Sequence, residues 1–402
     1  MPEILTRDRT RGRSDLLKSA ITPISREHSH GDGRGAGSRA PVVVRCAFAR
    51  SESWSQSVLD NDHDSDLAHR LWVHFGEGSI AGEHSGMKTP SPLPPSLVGT
   101  AFLTTDDTGL SRSRLRRSDL QRPFRGVRSI GLDPQMNVRE RCLMYAPRMP
   151  PGHAFTHVTA AQLYRIPLPP RWENSTQLHV AVNEHSEPPD VLGVRGHRFE
   201  GLDARIRSFR GFRVTDPATT WCHLGAILSP YDLVAAGDFL ISGRVTNTGR
   251  EAALSTMDEL AKAARKFWGQ RGVRNVRAAL DRVRTDVDSR PETWTRLLLV
   301  DAGLPEPIVN LPIFSAAGER LGKPDLVYPW ARTLLEYEGD EHRVSKVRFR
   351  RDIARRERFE ANGWRVIRVI PDDVFIDPGT FVARVRRILM QQNLARSESW
   401  SF

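Results

Sequence analysis

The chain has 402 residues, of which 39% are hydrophobic and 27% charged, with a formal net charge of +11 and a pI near 10.2. That length predicts two or three domains rather than one core. No apolar run approaches the roughly 20 residues that span a bilayer, and the N-terminus lacks the apolar core of a secretory signal, so a cytosolic protein with no membrane role is expected. The basic balance points to a polyanionic partner, because arginines that neutralise phosphates release condensed counterions. Cys46, Cys142 and Cys222 are scattered singly, which predicts neither a disulfide framework nor a structural zinc site.

Residues 1–86 are rich in Arg, Ser, Gly, Asp and His without helical or strand periodicity, and read as a disordered segment or an extension ahead of a real start at Met87. The heptapeptide ARSESWS occurs at 49–55 and again at 395–401. The first copy reads as the remnant of a duplicated gene end, an expectation that native peptides from before Met87 would overturn.

Residues 87–150 predict a winged helix-turn-helix. Between 109 and 128 stand seven arginines (112, 114, 116, 117, 122, 125 and 128) against Asp119. Gly109 is the expected turn, Ser111 the N-cap of an arginine-studded helix ending before Pro123, and 124–128 a small β wing. A recognition helix of this kind would bring Arg112, Arg114, Arg116, Arg117, Arg125 and Arg128 to DNA; a solvated basic helix is the other reading.

Residues 151–285 predict a mixed α/β middle domain: a helix in HAFTHVTAAQLYRIPLP, strands in STQLHVAV and DVLGVRGHRF, and amphipathic helices in the stretches that follow. His157, His179, His197 and His223 stand apart in sequence and read as structural histidines.

From 286 to 392 the pattern is α-β-β-β-α-β followed by a further helix, with 393–402 as a tail. Ser289 to Glu292 opens a helix that Gly303 closes. The strand KPDLVYP turns at Pro329-Trp330 into ARTLLEYE. If that turn is centred between Trp330 and Ala331, Asp325 lies opposite Glu336, where facing Cβ atoms are about 4.5–5.5 Å apart. Alternation puts Glu336 and Glu338 on one face. Like charges so close repel unless one is protonated or a cation sits among them, and hard oxygen ligands suit Mg²⁺ or Mn²⁺. The alternatives are a solvated acidic loop or a charged guard on an edge strand, and for Glu292 a capping box with Ser289. The helix beginning near 343 carries Arg348, Arg350, Arg351 and Arg355 directly behind the acids, placed to grip a phosphate backbone.

On Pro324-Asp325, Glu336-Tyr337-Glu338-Gly339, His342 and the strand WRVIRV, the stretch 289–390 resembles the very-short-patch-repair endonuclease-like proteins of the PD-(D/E)xK superfamily. The resemblance implies a restriction-endonuclease-like core, with Asp325 and Glu336 as metal ligands and Glu338 in place of the name-giving lysine, where an acid can bind the metal or take a proton. It also implies His342 as general base or phosphate contact, and Glu292 as the acid from the first helix. GLSRSRLRRSDLQRPFRGVR, HVTAAQLYRIPLP and GVRGHR resemble the winged-helix region of abortive-infection antitoxin-like proteins, which implies DNA binding and a toxin or phage-defence partner. The function expected is therefore a Mg²⁺- or Mn²⁺-dependent DNA endonuclease in an α+β multidomain chain. Its rivals are a non-catalytic antitoxin or regulator on a degenerate nuclease fold and a mismatch-specific nicking enzyme.

Overall fold

The computed structural model describes residues 91–133, 135, 137–202, 205–339 and 346–398, with backbone alone at 346–351 and 395–398. The segment 1–86, the Met87 start and His342 lie outside the described residues. The architecture is mixed α/β with several separate sheets, and no described helix is long and apolar enough to cross a membrane.

The N-terminal piece pairs β1 (Ala101–Leu103) with β2 (Val127–Ser129) antiparallel and continues into α1 (Val138–Tyr145). Asn137 caps α1 by accepting from the Glu140 N–H, a short-side-chain acceptor for an orphan donor. The helices expected between 95 and 123 do not form. Only single 3-10 turns appear there, at Pro95–Leu97 and Arg114–Arg116. The reason is internal: Arg114 turns inward, donating to both carboxylate oxygens of Asp119 (2.9 and 2.7 Å) and to the Ser91 carbonyl at 2.8 Å. The segment closes as a loop on its own arginine, with Gly109 at φ 70° supplying its turn.

The middle region is built on a six-stranded sheet with order β5-β6-β4-β3-β8-β7. Its elements run β3 (Ala154–Phe155), α2 (His157–Tyr164), α3 (Pro170–Glu173), β4 (Leu178–Asn183), β5 (Asp190–Val191), β6 (Val194–Phe199), β7 (Ile206–Phe209) and β8 (Phe212–Thr215). Arg210 and Gly211, both at positive φ (50° and 85°), make the tight β7–β8 turn in the way a primed turn requires. Helices α4 (Pro217–Leu224) and α5 (Pro230–Ser242) follow, then the small hairpin β9 (Val245–Thr246) and β10 (Gly249–Arg250), then α6 (Met257–Lys266) and α7 (Val273–Leu280). Trp221, Leu233, Leu240, Leu260 and Val276 fill the core beneath them.

The C-terminal region begins with α8 (Arg290–Asp301). After it come β11 (Ile308–Val309), a side hairpin β12 (Ile313–Phe314) and β13 (Arg320–Gly322), then β14 (Leu326–Tyr328), β15 (Thr333–Tyr337), α9 (Lys346–Ala361), β16 (Arg365–Val369), α10 (Pro371–Phe375) and α11 (Pro378–Glu398). The main sheet has order β11-β14-β15-β16, antiparallel except for the parallel β15–β16 pair joined through α9. A Cβ on Gly322 would lie 2.7 Å from the Phe359 ring, so only glycine lets α9 seat that phenylalanine against β13. Helix α11 runs on through residues 393–398, so the start of the expected tail is helical.

Helix α8 belongs to two cores. Leu297 packs with the middle region and Leu299 with the C-terminal sheet. Between them Arg296, 1% exposed, bonds Asp238 of α5 (3.2 Å), Glu306 (2.9 Å) and the Arg282 carbonyl (3.0 Å).

Candidate functional site

The acid hairpin has the register expected of it. Leu326 faces Leu335, Val327 faces Leu334 and Tyr328 faces Thr333, so one step further along the ladder Asp325 comes level with Glu336. The turn is a single 3-10 turn, Pro329–Ala331, closed by Arg332 in the left-handed region at φ 42°. Asp325 caps the strand end, accepting from the Tyr337 N–H at 2.7 Å.

Glu292 is buried beside this carboxylate. It accepts from the Asp288 N–H (3.0 Å), the Ser289 hydroxyl (2.8 Å) and the Asn310 amide (2.9 Å), while its own N–H bonds Ser289 Oγ at 3.4 Å. Ser289 caps the helix, but the Glu292 carboxylate takes the Asp288 N–H rather than the Ser289 N–H, so the expected capping box is half formed, and Glu292 stands beside Asp325. Lys323, two residues before Asp325, reaches Asp288 at 3.2 Å. This cation near the acids was not singled out from the sequence.

Burial sets the protonation of these acids. The Asp325 carboxyl is held well above the usual carboxylate range by burial and by the Glu292 and Glu336 charges, which outweigh the Tyr337 N–H bond. Burial also pushes Glu292 up. Glu336, 7% exposed, is pushed up by burial although Arg355 and Arg356 pull the other way. Taking a carboxylate out of water favours its neutral form unless a cation compensates.

Glu338 is occupied differently. Its carboxylate accepts from Arg356 at 2.9 Å and is gripped by both the Nε and Nη2 of Arg368, while its backbone N–H joins the Val369 carbonyl at 2.8 Å. Arg355, expected on DNA, forms an ion pair with Glu336 at 3.0 Å. Arg114 is spent inside its loop, and Arg128 bonds the Leu115 and Val127 carbonyls at 2.7 and 2.8 Å. These three arginines hold the fold rather than stand free for phosphate. Arg112, Arg116, Arg117 and Arg125 are exposed, and the side chains of Arg348, Arg350 and Arg351 lie outside the described ones. A cleft of about 890 Å³ lined by Arg141, Arg165, Arg244 and Arg290 opens beside Asp288.

A second constellation appears in the middle region. His157, His179, His197 and His223, from four separate elements, collapse into one stack. The His157 and His197 rings lie 3.9 Å apart, His157 and His223 5.0 Å, and Phe199 covers His223 at 3.9 Å. His179 Nδ1 and His197 Nε2 meet at 3.0 Å, and His223 Nδ1 bonds the Thr156 hydroxyl at 2.7 Å. Burial first, then the His179 ring and Arg195, lowers His197 to about 3; burial and Arg195 lower His179 to about 4. Burial, His197 and Arg205 lower His223 to about 3, and His157 falls well below its ordinary value. All four imidazoles are neutral at pH near 7.

Sequence reasoning missed this convergence because DVLGVRGHRF, expected as one strand, is two, β5 and β6, and the short stretch 184–193 between β4 and β6 gives no sign of a parallel crossover. An antiparallel pairing through that stretch would set His179 against Arg198 and put His197 on the opposite face. The strands instead run parallel, with Ala181 facing His197, so His179 and His197 share a face. The signal available was the equal parity of a histidine in each of two strands.

Two uncharacterized proteins of Mycobacterium tuberculosis, from strains CDC 1551 and H37Rv, are each 29% identical to the chain over 249 residues, covering 61% of this chain and 84% of theirs. No protein-family model matches the chain, and no solved structure matches it.

Proposed function

We propose that the chain is a metal-dependent DNA endonuclease-like protein that hydrolyses phosphodiester bonds, acting in phage defence or DNA repair. One observation supports this most. The β14–β15 hairpin lines Asp325 up with Glu336 beside buried Glu292, and burial with neighbouring carboxylates pushes all three carboxyls up in pKa.

Among the described residues Asp325 and Glu292 carry no ion pair of their own, and the set is hard in character, which fits Mg²⁺ or Mn²⁺. Asp325 and Glu336 would hold the ion, which when bound supplies Lewis-acid polarisation of the phosphodiester and a water of lowered pKa. Glu292, fixed by three donors, keeps the rear of the site negative. Arg355 pulls Glu336 toward its ionised form, against the effect of burial. Glu338 holds Arg356 and Arg368 at the rim, and the arriving phosphate backbone exchanges places with it on these two guanidiniums. His342 is the proposed base or phosphate contact, and the exposed Arg112, Arg116, Arg117 and Arg125 supply a second, sequence-independent grip.

The test is nicking of supercoiled plasmid by the full chain with Mg²⁺, Mn²⁺ or EDTA beside an Asp325→Ala control. Metal-dependent cutting lost in the variant supports the proposal. Glu338 also favours a second reading, a non-catalytic DNA-binding antitoxin or regulator, since an acid neutralised by two arginines stands where the superfamily lysine is expected. DNA retardation by both proteins, with no cutting of plasmid, mismatched duplex or single strand, would select that reading.

A further inference from the structure

The histidine stack lies outside the nuclease proposal. Among the described residues, His157, His179 and His197 are the one set of three potential metal ligands whose donor atoms all lie within 4.8 Å of one another. The acid hairpin provides no such set. A tetrahedral ion with metal–nitrogen bonds of about 2.0–2.1 Å separates its ligands by roughly 3.3 Å. The 3.0 Å approach of His179 Nδ1 to His197 Nε2 has that scale, so an ion held there would take the place of the hydrogen bond between these two atoms.

Three further features argue against an inert stack. His157 Nδ1, His179 Nε2 and His223 Nε2 are buried without a hydrogen-bond partner, and each such nitrogen costs about 1–3 kcal/mol unless something meets it. His157 holds φ at 47°, a left-handed backbone that costs a non-glycine residue on the order of 1–2 kcal/mol and tends to persist where the surroundings impose it. His197 is only partly buried, which leaves an entry path beside two ligands fixed by the sheet and the helix start.

We propose that His157, His179 and His197 bind one divalent transition-metal ion of the zinc class, leaving a fourth coordination position open. The donor set is all imidazole, which selects Zn²⁺, Co²⁺, Ni²⁺ or Cu²⁺ over Mg²⁺ and Ca²⁺. Three neutral ligands leave the full charge on the ion, and Arg195 beside them adds to it. The open position therefore takes hydroxide or an anionic oxygen, of a phosphate or a carboxylate. His223, tied to Thr156 and covered by Phe199, orients the stack from behind.

The experiment uses the full chain, stripped with a chelator and then given Zn²⁺ alone or Co²⁺ alone. About one equivalent of zinc should survive desalting, zinc should raise the melting temperature, and Co²⁺ should give the visible absorption of a four-coordinate site. His197→Ala, at the partly exposed ligand, should weaken zinc binding by about 100-fold or more, while Asp325→Ala should leave it unchanged. His179→Gln serves as a second variant if the alanine change fails to fold. Absence of retained zinc, of a thermal shift and of a Co²⁺ spectrum in the wild-type chain overturns the proposal. So does equal retention by folded His197→Ala and His179→Gln.

Discussion

At the acid hairpin the carboxylates are met by donors from the same chain: Asp325 by the Tyr337 N–H, Glu336 by Arg355, Glu338 by Arg356 and Arg368. At the histidine stack the neutral rings meet mostly one another, and three of their nitrogens meet nothing. The first region answers buried charge with neighbouring counter-charge, and it can open to a ligand by exchanging one partner for another. The second answers burial by losing charge altogether, so a ligand there would displace only the bond between His179 and His197. Polar residues gathered in a core thus meet burial in two ways: by hydrogen bonds and ion pairs within the chain, and by neutral rings stacked on one another.

Four measurements would break or sharpen that contrast. The largest effect is expected at Arg296, whose removal by Arg296→Ala leaves Asp238, itself pushed up to about 6 by burial, without its cation. Urea unfolding should show a loss of about 3–5 kcal/mol in one transition. Two separate transitions would mean that the regions fold independently.

Next, Asp325→Asn should cut metal-dependent nicking by on the order of 100-fold while raising the melting temperature by about 2–4 °C, since it removes a charge the site disfavours. An unchanged or lowered melting temperature would show the charge to be already balanced.

The third is a pH series. Glu292, Asp325 and Glu336 titrate above their unfolded values, so the folded chain holds protons that the unfolded chain has released. Their contribution to stability is full below about pH 4 and is lost as pH rises through the folded-state pKa values. Mn²⁺ should therefore raise the melting temperature clearly at about pH 8 and hardly at all at about pH 4.5. A shift independent of pH would place the ion elsewhere.

The smallest effect is at Glu338. Glu338→Gln should cost no more than about 1 kcal/mol, as partly exposed pairs do, yet release Arg356 and Arg368 and steepen the salt dependence of DNA binding by about one to two phosphates. No change in that slope would mean that the two arginines never reach DNA.

The acid hairpin was legible because it is local: a turn at Pro329-Trp330 and the parity of residues 325 and 336 are enough to fix its register. Helices α6 to α9 were legible for the same reason, each carrying its own cap or apolar stripe. The helix-turn-helix was misread because Arg114 prefers Asp119 and a carbonyl to a helical face, a choice made by tertiary contact. EPIVNLPIF divides into two strands, β11 and β12, because its halves pair with different partners. The histidine stack depends on a parallel crossover through only ten residues, 184–193, and on the meeting of β4, β6, α2 and α4, none of which spacing reveals.

Helix α8 also constrains how such a chain can be rearranged over evolutionary time. Its first turn carries Glu292 to the acid site, its middle locks Arg296 into α5, and its two faces serve two cores. A recombination joint placed at 285, where composition suggests a seam, would carry away a helix still owed to the part left behind. Exchange of the C-terminal region with another protein would succeed only if α5 travelled with it or the recipient offered a matching acid. The C-terminal part is therefore expected to pass from chain to chain together with its neighbour.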